Sequence, residues 1–153
     1  LEAAVPAAGD RAPDAHGLRR HGVGFPLRLF DVLHGTEHVL LAHLAQTGSD
    51  EVITDLAAFA RELATRFGSR VRVLAVGAGA PLAEQFAVAT YGDAEGALSA
   101  AYGAQAAVFL VRPDGYIGWR GRSWRDAGLL AHLGRVFQPA RAEHDQTDGS
   151  SAR

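Results

Sequence analysis

Three stretches of this sequence carry residue types that can do chemistry. His34-Gly35-Thr36-Glu37-His38 spells H-x-x-E-H, a spacing that on a continuous helix sets two imidazoles one turn apart for zinc, with Glu as base. Gly35 interrupts the motif and a strand-like apolar run starts at Val39, so surface histidines in a turn are the expectation. Gly77-Ala78-Gly79-Ala80-Pro81-Leu82 resembles half of a dinucleotide fingerprint, whose glycines let the backbone approach a pyrophosphate. Leu82 stands where the third glycine is needed, so a Gly-rich bend is expected. Finally, Arg112, Arg120, Arg122 and Arg125 interleave with Tyr116, Trp119 and Trp124, the mixture enriched at interface hot spots. Tyr116, Trp119, Arg120 and Trp124 are the candidate interaction residues, with packing and ion pairs inside the domain as the competing use.

Other chemistry is excluded by composition. All 15 basic residues are Arg, and the chain has no Cys, Lys, Met or Asn. Without Cys there is no thiolate nucleophile or metal-thiolate site, and without Lys no Schiff base or P-loop Lys. A net charge of −2 and a pI near 6.4 give no bulk attraction to nucleic acid or anionic lipid. No apolar run approaches the roughly 20 residues of a membrane span, and residues 1–9 lack the basic head of a signal peptide. No nucleic-acid or membrane partner is expected, and a cytoplasmic location follows. A start at Leu1, with no initiator Met, reads as a piece of a longer polypeptide.

The elements that position these residues follow from periodicity. A chain of 153 residues, 48% apolar, suits one domain. Residues 1–8 read as a linker, 9–138 as the domain and 139–153 as a disordered polar tail. Residues 9–28 form a loose entry segment, and 27–33 a short strand or helical turn. Val39–Ala45 and Val71–Val76 are apolar runs of buried-strand type. Between them, Ile53, Leu56, Ala57, Ala60, Leu63, Ala64 and Phe67 recur at helical spacing, with Ser49 or Asp50 as N-cap and Gly68 past the end. Pro81 is placed to start a helix running toward Tyr91, and Ala97–Tyr102 a second, closed by Gly103. Ala106–Val111 and Tyr116–Arg120 flank the turn Arg112-Pro113-Asp114-Gly115 as a hairpin. The last helix is expected to be capped by Ser123, with Asp126 three residues on, and to stop at Pro139.

This order, β, α, β, a helix-rich connection, a ββ hairpin and α, is that of an α/β, thioredoxin-like three-layer domain with a central mixed β-sheet and helices on both faces. In that fold the catalytic cysteines sit where the first strand meets the long helix. Here the stretch is Gln46-Thr47-Gly48-Ser49-Asp50, whose hydroxyls are poor nucleophiles without a base. The Pro that precedes the hairpin in thioredoxins is replaced by Ala104-Gln105-Ala106.

Three blocks carry a more specific resemblance: Gly9-Asp10-Arg11-Ala12-Pro13-Asp14, Arg28-Leu29-Phe30-Asp31-Val32-Leu33, and the run from Leu110 to Arg120, LVRPDGYIGWR. Together they resemble the C-terminal domain of FAD-dependent aromatic-ring hydroxylases, which include the phenol, 3-hydroxyphenylpropionate and aromatic-polyketide monooxygenases. The first block alone also resembles the entry segment of peroxiredoxin-like proteins. The resemblance implies a domain appended to upstream FAD and substrate domains of the same polypeptide, with a structural or interaction role such as domain docking or a homodimer contact. It implies FAD and NAD(P)H for the parent enzyme, and no catalytic, cofactor-binding or metal residue in this chain. A free-standing, redox-inactive thioredoxin-like binding module is the alternative.

Overall fold

The two apolar runs at the middle of the sequence become the two central strands, because each is buried along nearly its whole length and needs cover on both faces. A computed structural model describes residues 5–137. In chain order its elements are β1 (Leu18–Arg19), α1 (Leu29–Leu33), β2 (His38–Ala45), α2 (Asp50–Phe67), β3 (Val71–Ala78), β4 (Val88–Asp93), α3 (Ala97–Tyr102), β5 (Ala107–Val111), β6 (Ile117–Gly121) and α4 (Ala127–Phe137). One six-stranded sheet runs in the order β1-β4-β3-β2-β5-β6. Strands β2, β3 and β4 are parallel, whereas β5 pairs antiparallel with β2, β6 antiparallel with β5, and β1 antiparallel with β4.

Alternation along the strands divides the core in two. Leu40, Ala42, Leu44, Val73 and Ala75 pack with Ile53, Leu56 and Leu63 of α2 and Leu129 and Leu133 of α4. Val39, Leu41, Leu74, Val76 and Phe109 face the other way, against Leu29 of α1 and Leu98 and Tyr102 of α3. Helices therefore cover both faces of a mixed sheet, as the element order predicts.

Helix α2 forms where its apolar spacing places it. The Ser49 hydroxyl accepts the Val52 N–H at 3.2 Å, Asp50 and Glu51 sit in the first turn, and Gly68 closes the helix at φ +64°. Ala64 is exposed, and Phe59 takes a buried place in the cluster that includes Leu129 and Leu133 of α4.

Three expectations are corrected. Residues 81–87 are not helical, and the next segment is strand β4. Pro81 permits a helix start, but the Thr90 hydroxyl donates to the Leu82 carbonyl and the backbone of Gly79–Pro81 lies directly on Gly92, where any Cβ would collide with it. The entry segment is also less loose than its composition suggests: Ala15 and Leu18 are core residues, and Leu18–Arg19 is the short edge strand β1. Finally, α4 starts four residues after Ser123. The Ser123 hydroxyl serves a turn by accepting the Arg125 N–H, and the Asp126 side chain takes the Gly128 N–H at 2.8 Å. The expected stop at Pro139 and the 139–153 tail lie outside the described residues.

Candidate functional site

The start of α2 is where this fold can aim a nucleophile, because N–H groups converge there and favour an anion. The register between β2 and β3 slips between His43 and Ala45, and Ala45 adopts φ +52°, so the chain turns sharply out of the sheet. Each hydroxyl beyond that point is committed locally. Thr47 donates to the Leu44 carbonyl at 2.6 Å, and Ser49 caps α2. The nearer imidazole on the preceding strand, His43, is buried with Nε2 2.8 Å from the Gly103 carbonyl, and its Nδ1 has no hydrogen-bond partner among the described residues. Nothing here pairs a hydroxyl with a base.

The H-x-x-E-H residues come apart in space. His34 follows α1 as its C-cap, Glu37 lies 3.8 Å from Arg72, and His38 opens β2 with its ring edge-on to Phe137. Among the described residues no three His, Cys, Asp or Glu side chains gather in a way that holds a metal. The glycine motif is likewise absorbed by packing. Gly77 lies inside β3 opposite Gly92, and no helix follows Gly79. These residues do not form a cradle for the diphosphate of a flavin or nicotinamide nucleotide.

The aromatic and arginine residues of the hairpin are divided into three groups. Two residues of β6 oppose one of β5 at Ile117–Trp119, a bulge around Gly118. In a regular strand Ile117 and Trp119 would share a face. Here Ile117 packs on the α1/α3 side and Trp119 on the α2/α4 side. Trp119 is half-buried, and Trp124 joins the same cluster while its indole N–H donates to Asp55 Oδ2 at 2.8 Å. Arg125 also binds Asp55, and it reaches Glu62 at 3.0 Å. The hydrogen bonds from Arg125, then from Trp124, outweigh burial and hold the Asp55 carboxyl below its ordinary range. The two indoles are thus tied to α2 and are not the exposed members of the set.

Tyr116 and Arg120 are the exposed ones. The Tyr116 ring, 38% exposed, has the guanidinium groups of Arg11 and Arg112 each 5.8 Å from its centroid, and Arg112 pairs with Asp114 across the turn. Arg120 reaches back to the entry segment, donating to the Pro6 carbonyl at 2.9 Å and the Val5 carbonyl at 3.4 Å. That segment lies along the outer edge of the hairpin: Gly9 N–H donates to Ile117 O, Ile117 N–H to Asp10 O, and Ala12 N–H to Gly115 O, all within 2.9 Å. The chain's own residues 9–12 therefore cover the first part of an edge that the sequence left for a partner to cover.

Arg120 and Arg122 also stand at a cavity of about 750 Å³ between the end of α3, the start of β5 and the end of β6. Sequence reasoning missed this cavity, because Val5, Tyr102 and Ala106 are far apart in the chain and carry no shared motif. The first two blocks that carry the resemblance bind each other and α3. Asp14 accepts N–H groups of Phe30 and Ala15 and pairs with Arg28, which together outweigh burial and lower its pKa. Pro13 offers its carbonyl to the Tyr102 hydroxyl at 2.6 Å, and burial pushes that phenol well above its ordinary value.

Solved structures share this architecture. A thiol peroxidase from Chromobacterium violaceum aligns with a TM-score of 0.65 at 13% identity over 89% of this chain and 90% of its own. A protein described as a thiol:disulfide interchange protein, DsbE, from Chlorobium tepidum aligns at 0.58 and 21% identity over 86% of this chain and all of its own. These show the thioredoxin-like fold. Aklavinone-11 hydroxylase, in a ternary complex with FAD and aklavinone, aligns at 0.56 and 31% identity over 84% of this chain. This chain spans only 21% of that protein. Among curated proteins none matches significantly in sequence. The family described as aromatic-ring hydroxylase, C-terminal, matches residues 5–140, and with the fold and the three sequence blocks in place the chain belongs to that family.

Proposed function

We propose that this domain is a non-catalytic docking module at the C-terminal end of a cytoplasmic, FAD-dependent and NAD(P)H-using aromatic-ring monooxygenase. Its partners are the upstream FAD and substrate domains of the same polypeptide, with a homodimer contact as the alternative, and neither nucleic acid nor membrane. The flavin and the substrate seen in the aklavinone-11 hydroxylase complex support this class of parent. Among the described residues no helix is long and apolar enough to cross a membrane.

The observation that carries the reading is a shared edge. The entry segment runs along the hairpin's outer edge, with the exposed Tyr116 just before β6 and Arg120 on it, Arg120 gripping Val5 and Pro6. Residue 5 is thus held against the Arg120 guanidinium, with the Tyr116 ring farther along the same edge beside Arg11, and both residue types are enriched at interface hot spots. The start of α2, with its hydroxyls engaged locally, offers a docking module rather than a reaction centre.

The test uses the full-length polypeptide. Its gene should encode a Gly-x-Gly-x-x-Gly flavin domain upstream of Leu1. Replacing Tyr116 and Arg120 by Ala there should speed proteolytic separation of this domain, or weaken dimerisation, with flavin retained. The chain of 153 residues alone should purify colourless and should not reduce insulin disulfides. Unchanged proteolysis and sizing in the double variant, or a flavin absorbance band on the isolated chain, would overturn the proposal.

A further inference from the structure

We infer that the cavity beside Arg120 and Arg122 is a binding site for a small organic anion with an apolar body, such as an aromatic carboxylate. At about 750 Å³ it falls within the range of small-molecule pockets. Its wall is apolar where Val5, Tyr102 and Ala106 line it, and Ser99 and Gln105 add neutral polar groups. Among the described residues no acidic side chain lines it.

Charge decides the ligand class. The other two arginines of the hairpin region have carboxylate partners, Arg112 on Asp114 and Arg125 on Asp55 and Glu62. Arg120 binds only the neutral carbonyls of Val5 and Pro6, which orient its guanidinium without cancelling its charge. Arg122 has no carboxylate within 4.0 Å among the described residues. Two uncompensated guanidinium groups over an apolar wall favour an anion whose body is removed from water, because the charge-assisted hydrogen bonds then form in a less screened setting.

The wall is anchored from behind. The Tyr102 hydroxyl is fixed on Pro13, and the buried His43 ring contacts the Gly103 carbonyl. A site held this way loses little conformational freedom when it fills. The cavity shares Arg120 with the docking proposal, so the test is placed on Arg122, which is not among the docking residues.

The probe is naphthoate, titrated into the whole chain and followed by amide chemical shifts, with naphthylmethanol as the neutral analogue and acetate as the anion without an apolar body. Saturable naphthoate binding is expected, with the largest shifts at Gly103–Ala107 and Gly121–Arg122. Naphthylmethanol and acetate should each bind about tenfold more weakly or worse. Arg122→Gln, an exposed substitution checked for an unchanged melt, should weaken naphthoate about tenfold and leave docking in the full-length protein unaltered. No saturation in the millimolar range, equal binding of the neutral analogue, shifts centred elsewhere, or an indifferent Arg122→Gln would each overturn the inference.

Discussion

The start of α2 and the β5–β6 hairpin with its following turn are held together over very different chain distances. At the start of α2 the capping groups are answered within a few residues, Thr47 by Leu44 and Val52 by Ser49, and Gln85 alone reaches in from farther along the chain, to the Asp50 carbonyl and the Thr54 hydroxyl, among the described residues before Asp55. Around the hairpin the partners come from far away: Arg120 reaches Val5 and Pro6, Trp124 reaches Asp55, and Ile117 pairs with Gly9 and Asp10. The place where enzymes of this fold keep their chemistry has become a helix cap, and the hairpin has become the junction of the entry segment, the sheet and α2.

The largest test of this contrast is Trp119→Ala. The indole packs against the α2/α4 core cluster and covers Gly121, so its removal should cost about 3 kcal/mol, the lower end for a large aromatic because it is only half-buried. Urea unfolding with an unchanged m-value measures this, and a loss under about 1 kcal/mol would remove the hairpin's claim to be a tertiary anchor. Gly115→Val comes next. Gly115 has φ +88° with open space around it, so the cost is backbone strain alone, about 2 kcal/mol. An unchanged melting temperature would mean the turn adopts another geometry.

The start of α2 should respond less, and only to local chemistry. Ser49→Ala should cost about 1 kcal/mol, and Ser49→Asp should restore the cap. If Asp fails to substitute, the serine has a task other than capping.

The smallest effect is expected from acid. His38 is pushed below its ordinary 6.5 by burial first, then by His132 and Arg112, against an opposing pull from Asp114, while its ring rests on Phe137. His132 is lowered by burial and by Arg135. Both folded-state values lie below the unfolded one, so the folded state binds fewer protons. Stability is complete above pH 6.5 and declines as pH falls through the folded values. The melting temperature should therefore fall between about pH 7.5 and 5.5, and His38→Phe should flatten that slope. A slope unchanged by the substitution would place the titration elsewhere.

Much of the scaffold was legible because its signals are local. The spacing from Ile53 to Phe67 marks α2, the two apolar runs mark β2 and β3, and Pro113 to Gly115 marks the hairpin turn. Strand β4 was not legible. Pro81 invites a helix, and the pressure against one comes from Gly92 lying under the backbone of residues 79–81, a contact no window of sequence contains. The candidate site was legible only as a list. Tyr116, Trp119, Arg120 and Trp124 stand together in sequence, but the bulge at Gly118 turns Trp119 inward, and Asp55 captures Trp124.

By itself the sequence determined what chemistry this chain lacks and which segments fold as helix or strand, because both depend on side-chain type and spacing along a few residues. Only the tertiary structure decided how the hairpin's arginines are used. Arg112 and Arg125 meet carboxylates, whereas Arg120 and Arg122 stand over an apolar cavity. The physical reason is that the energy of a charge depends on what surrounds it, and those surroundings are assembled from Val5, Asp55 and Tyr102, residues that come together only when the chain is folded.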